Sequence, residues 1–212
     1  MKTKKSKRVT RRFSPETPKK PAEADRRDIT PRTSIASPLY IDAVNIKDGH
    51  GVIGMTLCPG KQGPSHFKGP WQRDLIADME VLQAWGCQAL LSLMEDQEFK
   101  RFQVTKLGEV ATAAGIKWYH IPITDGEPPD ERFDRLWPSV GRALVADLLA
   151  DKRIVVHCRG GLGRTGVIAC LLLIELGYSQ TRALKLVRTI RPGTVQTAAQ
   201  EAYVLGYTPR LN

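Results

Sequence analysis

Between residues 39 and 190 the apolar positions recur in two rhythms, short β-branched runs and longer stretches at helical spacing. Residues 39–44 and 51–57 read as two early strands around a Lys47-Asp48-Gly49 turn. Over 72–85, Leu75, Ile76, Met79, Leu82 and Trp85 fall at helical spacing. Residues 89–93 are a continuous apolar run ending near Glu95 and Asp96, which predicts a buried strand. A helix over 104–114 gives way at Gly115 to a strand over 117–121. Residues 130–149 place Phe133, Trp137, Val140, Leu144 and Leu148 on one side of a helix, which Pro138 is expected to kink or to bound. A strand over 154–156 then feeds a glycine-rich turn. Helices over 165–176 and 179–190 follow, with Gly177 as the cap between them. This alternation predicts an α/β fold with a central, mostly parallel sheet of about five strands and helices on both faces. In such sheets ligands gather at the carboxyl ends of strands.

With 212 residues, 42% hydrophobic and 25% charged, the chain has material for one well-buried domain. Its net charge of +10 is unevenly placed. Residues 1–37 hold 12 Lys+Arg against 4 Asp+Glu, a net of +8; the remainder holds 20 against 18, a net of +2. The leading segment is rich in Pro, Ser and Thr and poor in large apolar side chains. It cannot bury enough surface to offset its ordering entropy, and reads as a disordered basic tail over 1–37 before a domain over 38–212. Lys2, Lys4, Lys5, Lys7 and Arg8, with Arg11 and Arg12, offer charge to nucleic acid, anionic lipid or an acidic partner, or serve solubility alone. Phe13 is the only aromatic there, which is little for base stacking. Ser14-Pro15 and Thr17-Pro18 have the form of proline-directed phosphorylation sites.

No apolar leader follows the basic start, and the longest apolar run, 167–174, is far short of the ~20 residues that span a bilayer. Cys58, Cys87, Cys158 and Cys170 lack the spacing of a disulfide framework. A reducing, cytoplasmic location is expected. Cys58, Cys87 and Cys170 read as core thiols; for the first two, a disulfide with Cys158 under oxidant is a second reading.

The chemistry concentrates in His157-Cys158-Arg159-Gly160-Gly161-Leu162-Gly163-Arg164-Thr165-Gly166. Strand, glycine turn and helix N-terminus together form a site for a phosphate dianion, because free backbone N–H groups and the helix dipole converge there. The groups that attract phosphate also stabilise a thiolate. A nucleotide-binding Walker loop fails here: Cys158 stands at its first glycine and Arg164 at its lysine. Zinc fails too, since Cys158 has no partner at ligand spacing. A plain core cysteine after a strand would not call for the glycines and the Arg164-Thr165 ending.

Cys158, five residues and Arg164 with Thr165 match the His-Cys-x5-Arg-Ser/Thr signature, and the chain resembles the protein tyrosine and dual-specificity phosphatase superfamily. Within it the chain is similar to the kinase-associated phosphatase (cyclin-dependent kinase inhibitor 3) family. That likeness rests on residues 53–60, 122–130 and 195–197 as well. It runs from about Pro38 to Tyr207. The resemblance implies a protein tyrosine phosphatase-like fold and hydrolysis of phosphomonoesters through a phosphocysteine on Cys158, without a cofactor; nothing in the chemistry requires a metal. Arg164 would grip two phosphate oxygens with its planar fork. The N–H groups of Arg159, Gly160, Gly161, Leu162, Gly163 and Arg164 would bind the remaining oxygen charge. Gly160, Gly161 and Gly163 let those amides turn inward, and Thr165 would hydrogen-bond the sulfur.

Asp125 follows a strand-like stretch and opens an Asp-Gly-Glu-Pro-Pro-Asp turn, where the resemblance puts the general acid and base. Taken alone it equally reads as the start of a turn. Glu127 and Asp130 are the fallback acids, Asp130 suiting a helix cap better. Gln196 lies where the superfamily can place a glutamine that orients the hydrolytic water; a solvent-facing loop residue is the competing reading. His157 is expected to organise the loop and tune the thiol.

The substrate is read as a phosphoprotein in a shallow dual-specificity cleft, with a phosphorylated kinase implied by the resemblance. Arg159 either favours a polyanion or pairs with a neighbouring carboxylate. A phosphoinositide or RNA 5′-phosphatase, and a phosphoresidue-binding module with little turnover, stand as alternatives. A rhodanese-like sulfur transferase fits poorly with Asp125 and Arg164-Thr165.

Overall fold

The protein is described by a computed structural model for residues 30–47, 50–65 and 69–211. Residues 1–29 of the basic tail, and Asp48 and Gly49 of the first turn, lie outside the described residues.

Five strands form the central sheet: β2 (Asp42–Asn45), β3 (Val52–Thr56), β6 (Cys87–Ser92), β7 (Lys117–His120) and β8 (Arg153–His157). Their spatial order is β2-β3-β8-β6-β7. The β2–β3 pair is antiparallel and the other three pairings are parallel. The last strand in sequence thus occupies the middle, and the glycine turn leaves from its carboxyl end. Along β8 the side chains alternate between two cores. Ile154 and Val156 join the cluster with Phe133, Trp137 and Leu171. Val155 joins the cluster with Leu90, Met79, Leu82 and Leu107 on the other face.

α4 (Glu131–Leu149) and α5 (Gly163–Glu175) cover the first face, backed by α6 (Gln180–Ile190) and α7 (Ala198–Gly206); α1 (Leu75–Trp85) and α3 (Leu107–Ala113) cover the second. Residues 163–174 of α5 are all buried, which is why its sequence is apolar on every side.

The remaining elements are short. α2 (Asp96–Arg101) follows β6, and a three-stranded sheet joins β1 (Arg32–Thr33), β5 (Trp71–Gln72) and β4 (Gln62–Gly63). None of these four is legible in the apolar pattern. Two-residue strands carry no period, and in α2 only Phe99 is apolar. Gln72, expected at the start of a helix, pairs in this small sheet. The helix begins after Asp74, whose carboxylate accepts the N–H of Ala77 at 2.9 Å. Residues 30–37, assigned to the tail on composition, enter the fold, since β1 pairs with β5 and the Ser37 carbonyl accepts from Arg73 at 2.7 Å.

Pro138 neither ends nor divides α4, which runs through it to Leu149. Phe133, Trp137, Leu144 and Leu148 on its inner face are fully buried, and that burial outweighs the ~3 kcal/mol an interior proline costs. Asp130 caps α4 by accepting from Arg132 N at 2.9 Å, which removes it as a candidate acid. Gly177 stands in the left-handed region at φ 87° after α5.

Candidate active site

Cys158 is the first residue beyond β8 and is buried, 3% exposed. The turn after it is held from outside by Arg191, at the end of α6. Its Nε donates to the Gly161 carbonyl at 2.6 Å and its Nη2 to that of Gly160 at 3.4 Å, while Nη1 pairs with Asp42. Carbonyls drawn outward to a cation leave the opposite side of the loop to N–H groups, the polarity an anion requires. Of the loop glycines, Gly161 is the one whose backbone demands the residue: φ is 70°, and a Cβ would sit 2.2 Å from the Thr56 carbonyl oxygen. Gly160 has neither constraint. The Gly163 N–H is taken by Gln196 Oε1 at 3.1 Å, so in this arrangement it is not among the amides open to phosphate.

Arg164 opens α5 and is 1% exposed. Its Nη1 and Nη2 form a fork with Glu98 at 2.5 and 2.9 Å; Nη1 also reaches the Ile123 carbonyl at 2.9 Å, and Nη2 reaches Asp125 Oδ1 at 2.8 Å. Burial would lower the Arg164 pKa, but the Glu98 hydrogen bonds, and with them the electrostatic effect of the neighbouring Cys158, Glu98 and Asp125, raise it overall, keeping it a cation. The two-pronged grip expected for phosphate is thus held by Glu98 here. The buried Nε–H has no partner among the described residues, nor has the buried Thr165 hydroxyl, so the expected Thr165–Cys158 hydrogen bond is not formed. Buried polar groups are rarely left so. An oxyanion bound in this loop would give the Arg164 Nε–H its acceptor.

Asp125 bridges two loop arginines, with Oδ2 2.8 Å from Arg159 Nη1. Arg159 therefore takes the carboxylate-pairing option. The shoulders of the Asp125 turn are tied on both sides: Thr197 Oγ1 donates to the Gly126 carbonyl at 3.1 Å and Gln200 Nε2 to that of Glu127 at 3.2 Å. On the other side Thr124 Oγ1 donates to Glu95 at 3.2 Å. Gln200 Oε1 also accepts the Gln196 N–H at 3.0 Å. Gln196 is exposed, with its side-chain oxygen accepting the Gly163 N–H of the loop, and Val195 before it adopts φ 55°.

His157 is fully buried, and burial drives its pKa down to about 3, so the ring is neutral. Its Nε2 lies 2.6 Å from Ser92 Oγ, which accepts the Trp118 indole N–H at 2.9 Å. This chain braces β8 against β6 under the loop. Among the other thiols, burial raises Cys87 and Cys170 to about 12 and Cys58 still further. Cys87, paired with Arg153 at the far end of β8, is five strand residues, about 16 Å, from the Cys158 end. All four cysteines are free.

Glu98, Gln200 and Arg191 escaped sequence reasoning. Glu98 left a trace: with Glu95 it forms a reciprocal capping box, an acid pair three residues apart just after a strand. Among the described residues no three His, Cys, Asp or Glu side chains gather as a metal site.

A family described as "Swiss Army Knife protein, DSP-PTPase phosphatase domain" matches residues 64–204. The mouse protein named cyclin-dependent kinase inhibitor 3 is 30% identical over 161 residues, 75% of this chain and 72% of that one. The human protein tyrosine phosphatase type IVA 3 is 32% identical over 96 residues, 45% of this chain and 54% of that one. Among solved structures, kinase associated phosphatase carrying serine for its catalytic-site cysteine superposes with a TM-score of 0.67 at 25% identity, covering 79% of this chain and 93% of that one.

Proposed function

The chain belongs to the DSP-PTPase phosphatase family and is a cysteine-dependent protein phosphatase, and from that premise we propose the part each site residue plays. Cys158 Sγ attacks phosphorus as a thiolate, forming the S–P bond as the P–O ester bond breaks. Asp125, in its protonated form, gives its proton to the departing oxygen. A water oriented by Gln196 then attacks phosphorus, Asp125 takes its proton, and the S–P bond breaks to return the thiolate and release phosphate. Thr165 hydrogen-bonds the sulfur as it leaves. Arg164 binds phosphate through Nε and Nη2, the edge that Glu98 leaves open, with Asp125 moving off Nη2 toward the leaving group. The N–H groups of the loop carry the rest of the oxygen charge.

One observation supports this most: a buried, cationic arginine fork is aligned by Glu98 beside Cys158 and retains an N–H without a partner among the described residues. We take the substrate to be a phosphoprotein, and a phosphorylated kinase above others, because the mouse relative is named for a cyclin-dependent kinase and the solved relative for kinase association. A nucleophilic thiolate suits a reducing, cytoplasmic setting; among the described residues no helix is long and apolar enough to cross a membrane.

The test is turnover of a small aryl phosphate in EDTA. Cys158→Ser is expected to abolish it. Asp125→Asn is expected to lower it by about 10²–10⁴-fold for a poor leaving group and much less for an activated one. Undiminished turnover in Cys158→Ser would reject the thiolate, and an equal loss for both leaving groups in Asp125→Asn would reject the acid.

A further inference from the structure

Beside the catalytic loop lies a groove of about 370 Å³ whose inner wall is the loop itself, at Gly160 and Leu162. The small sheet contributes Arg32 and Trp71 to its lining, and Lys61, the exposed Arg101 and Phe102 line it as well. Gln62 N donates to the Phe102 carbonyl at 3.1 Å, fastening that sheet to the end of α2. Lys61 Nζ donates to the Arg159 carbonyl at 3.3 Å, so groove and loop share a hydrogen bond.

Four cations, Arg32, Lys61, Arg101 and Arg159, converge on this space, and among the described residues no carboxylate lines it. Arg159 alone of the four has a carboxylate partner among the described residues. Aromatic rings position the others without neutralising them, and Arg32 also donates to Ser65 Oγ at 2.6 Å and to the Gly69 carbonyl at 3.3 Å. The Arg32 guanidinium lies 3.3 Å over the Trp71 ring, Lys61 Nζ lies 4.8 Å from the Trp71 ring centre and 5.1 Å from that of Phe102, and Arg101 stands 5.6 Å from Phe102. Lys61 is only 6% exposed. Burial first, and then Arg159 and Arg32, hold its pKa down to about 8. Like charges gathered on low-dielectric walls produce a focused positive field that an incoming anion relieves.

We propose that this groove is a second-anion subsite, which takes a carboxylate or phosphate carried by the substrate protein next to the phosphoresidue that enters the Cys158 loop. The assignment rests on the phosphatase reading of that loop. A protein segment is the occupant because the walls between the cations are apolar, from Trp71, Phe102, Pro64 and Leu162. They suit the stem of a side chain that ends in an anion. The volume falls within the range of ligand pockets and suits one such side chain.

The experiment is fluorescence anisotropy with the full-length Cys158→Ser protein. Three labelled peptides are compared: one phosphothreonine among neutral residues, the same with flanking glutamates, and the same with a flanking second phosphoresidue. At least one anionic peptide is expected to bind about tenfold more tightly than the neutral one, and the stronger of the two names the anion. The advantage should shrink with salt. It should fall below about twofold when Arg32→Gln and Arg101→Gln are added. Arg101→Gln alone, an exposed position, gives a partial loss should the combined variant not fold. Equal affinities for the three peptides, or an advantage that survives these substitutions, would overturn the subsite. Tighter capture by vesicles containing phosphatidylinositol bisphosphate than by any peptide would overturn the protein assignment. Because binding is read without turnover, a wild type that hydrolyses no aryl phosphate sinks the phosphatase roles while the peptide comparison still decides the groove.

Discussion

At the scale of single residues, the proposed site depends on side chains that hold other side chains in place. Glu98 is a positioning residue acting through Arg164, which it holds with a two-pronged contact in a place where the arginine is 1% exposed. Glu98→Gln keeps the shape and removes the charge. We expect kcat/KM for an aryl phosphate to fall about 10- to 100-fold, about 1.4–2.8 kcal/mol of transition-state stabilisation, with inhibition by inorganic phosphate weakened in parallel. A role confined to stability would lower the urea midpoint and leave phosphate inhibition unchanged.

His157 supplies a different prediction. Its folded pKa of about 3 lies below the unfolded 6.5, so the unfolded chain binds the proton first. The stability associated with the neutral ring is intact above pH 6.5 and is lost as pH falls from there toward 3, at up to about 1.4 kcal/mol per pH unit. Replacing the ring by an amide in His157→Asn should flatten that part of a stability–pH curve measured by urea unfolding. An unchanged slope would show that the proton is taken elsewhere.

At the scale of elements, two buried devices fix what surrounds the loop. α7 reaches the Asp125 turn through Thr197 and Gln200, so that turn and Gln196 are set by one helix start. The small sheet is anchored by Arg73 and Asp78, a fully buried pair with both contacts at 2.7 Å. Asp78 also accepts the Gly60 N–H, and Arg73 donates to the Ser37 carbonyl. Removing one partner strands a buried charge, so Asp78→Asn should cost about 3–5 kcal/mol of stability. A urea midpoint equal to wild type would contradict the anchor. In sequence, Arg73 and Asp78 are two ordinary charges five apart at a helix start, and nothing in the apolar pattern marks them. The same blindness hid α2, whose one visible sign was the spacing of Glu95 and Glu98.

At the scale of the whole molecule, the boundary between tail and domain was drawn on charge and composition at 37/38, whereas the fold takes in residues from 30 onward. Those criteria cannot see that a two-residue strand at Arg32–Thr33 finds parallel pairing with Trp71–Gln72 far along the chain. Two truncations therefore should differ. Removal of 1–29 is expected to leave the thermal midpoint and aryl phosphate turnover within error. Removal of 1–37 also deletes β1 and the acceptor of Arg73, and should lower the midpoint by several degrees. Equal midpoints for the two would mean that β1 contributes nothing to stability.

The sequence by itself determined the α/β alternation, the order of the sheet-forming runs and the cysteine–arginine loop. These are written in local period and in contiguous residues, with glycine at Gly161 where no other side chain fits. It did not determine how the loop is held. The fork from Glu98, the outward pull of Arg191, the tie from Gln200 and the four cations beside the loop come from segments 30 to 130 residues apart. Only the tertiary structure decided their meeting, because a hydrogen bond or ion pair between distant residues leaves no period in the chain, and its strength exists only once burial has removed the competing water.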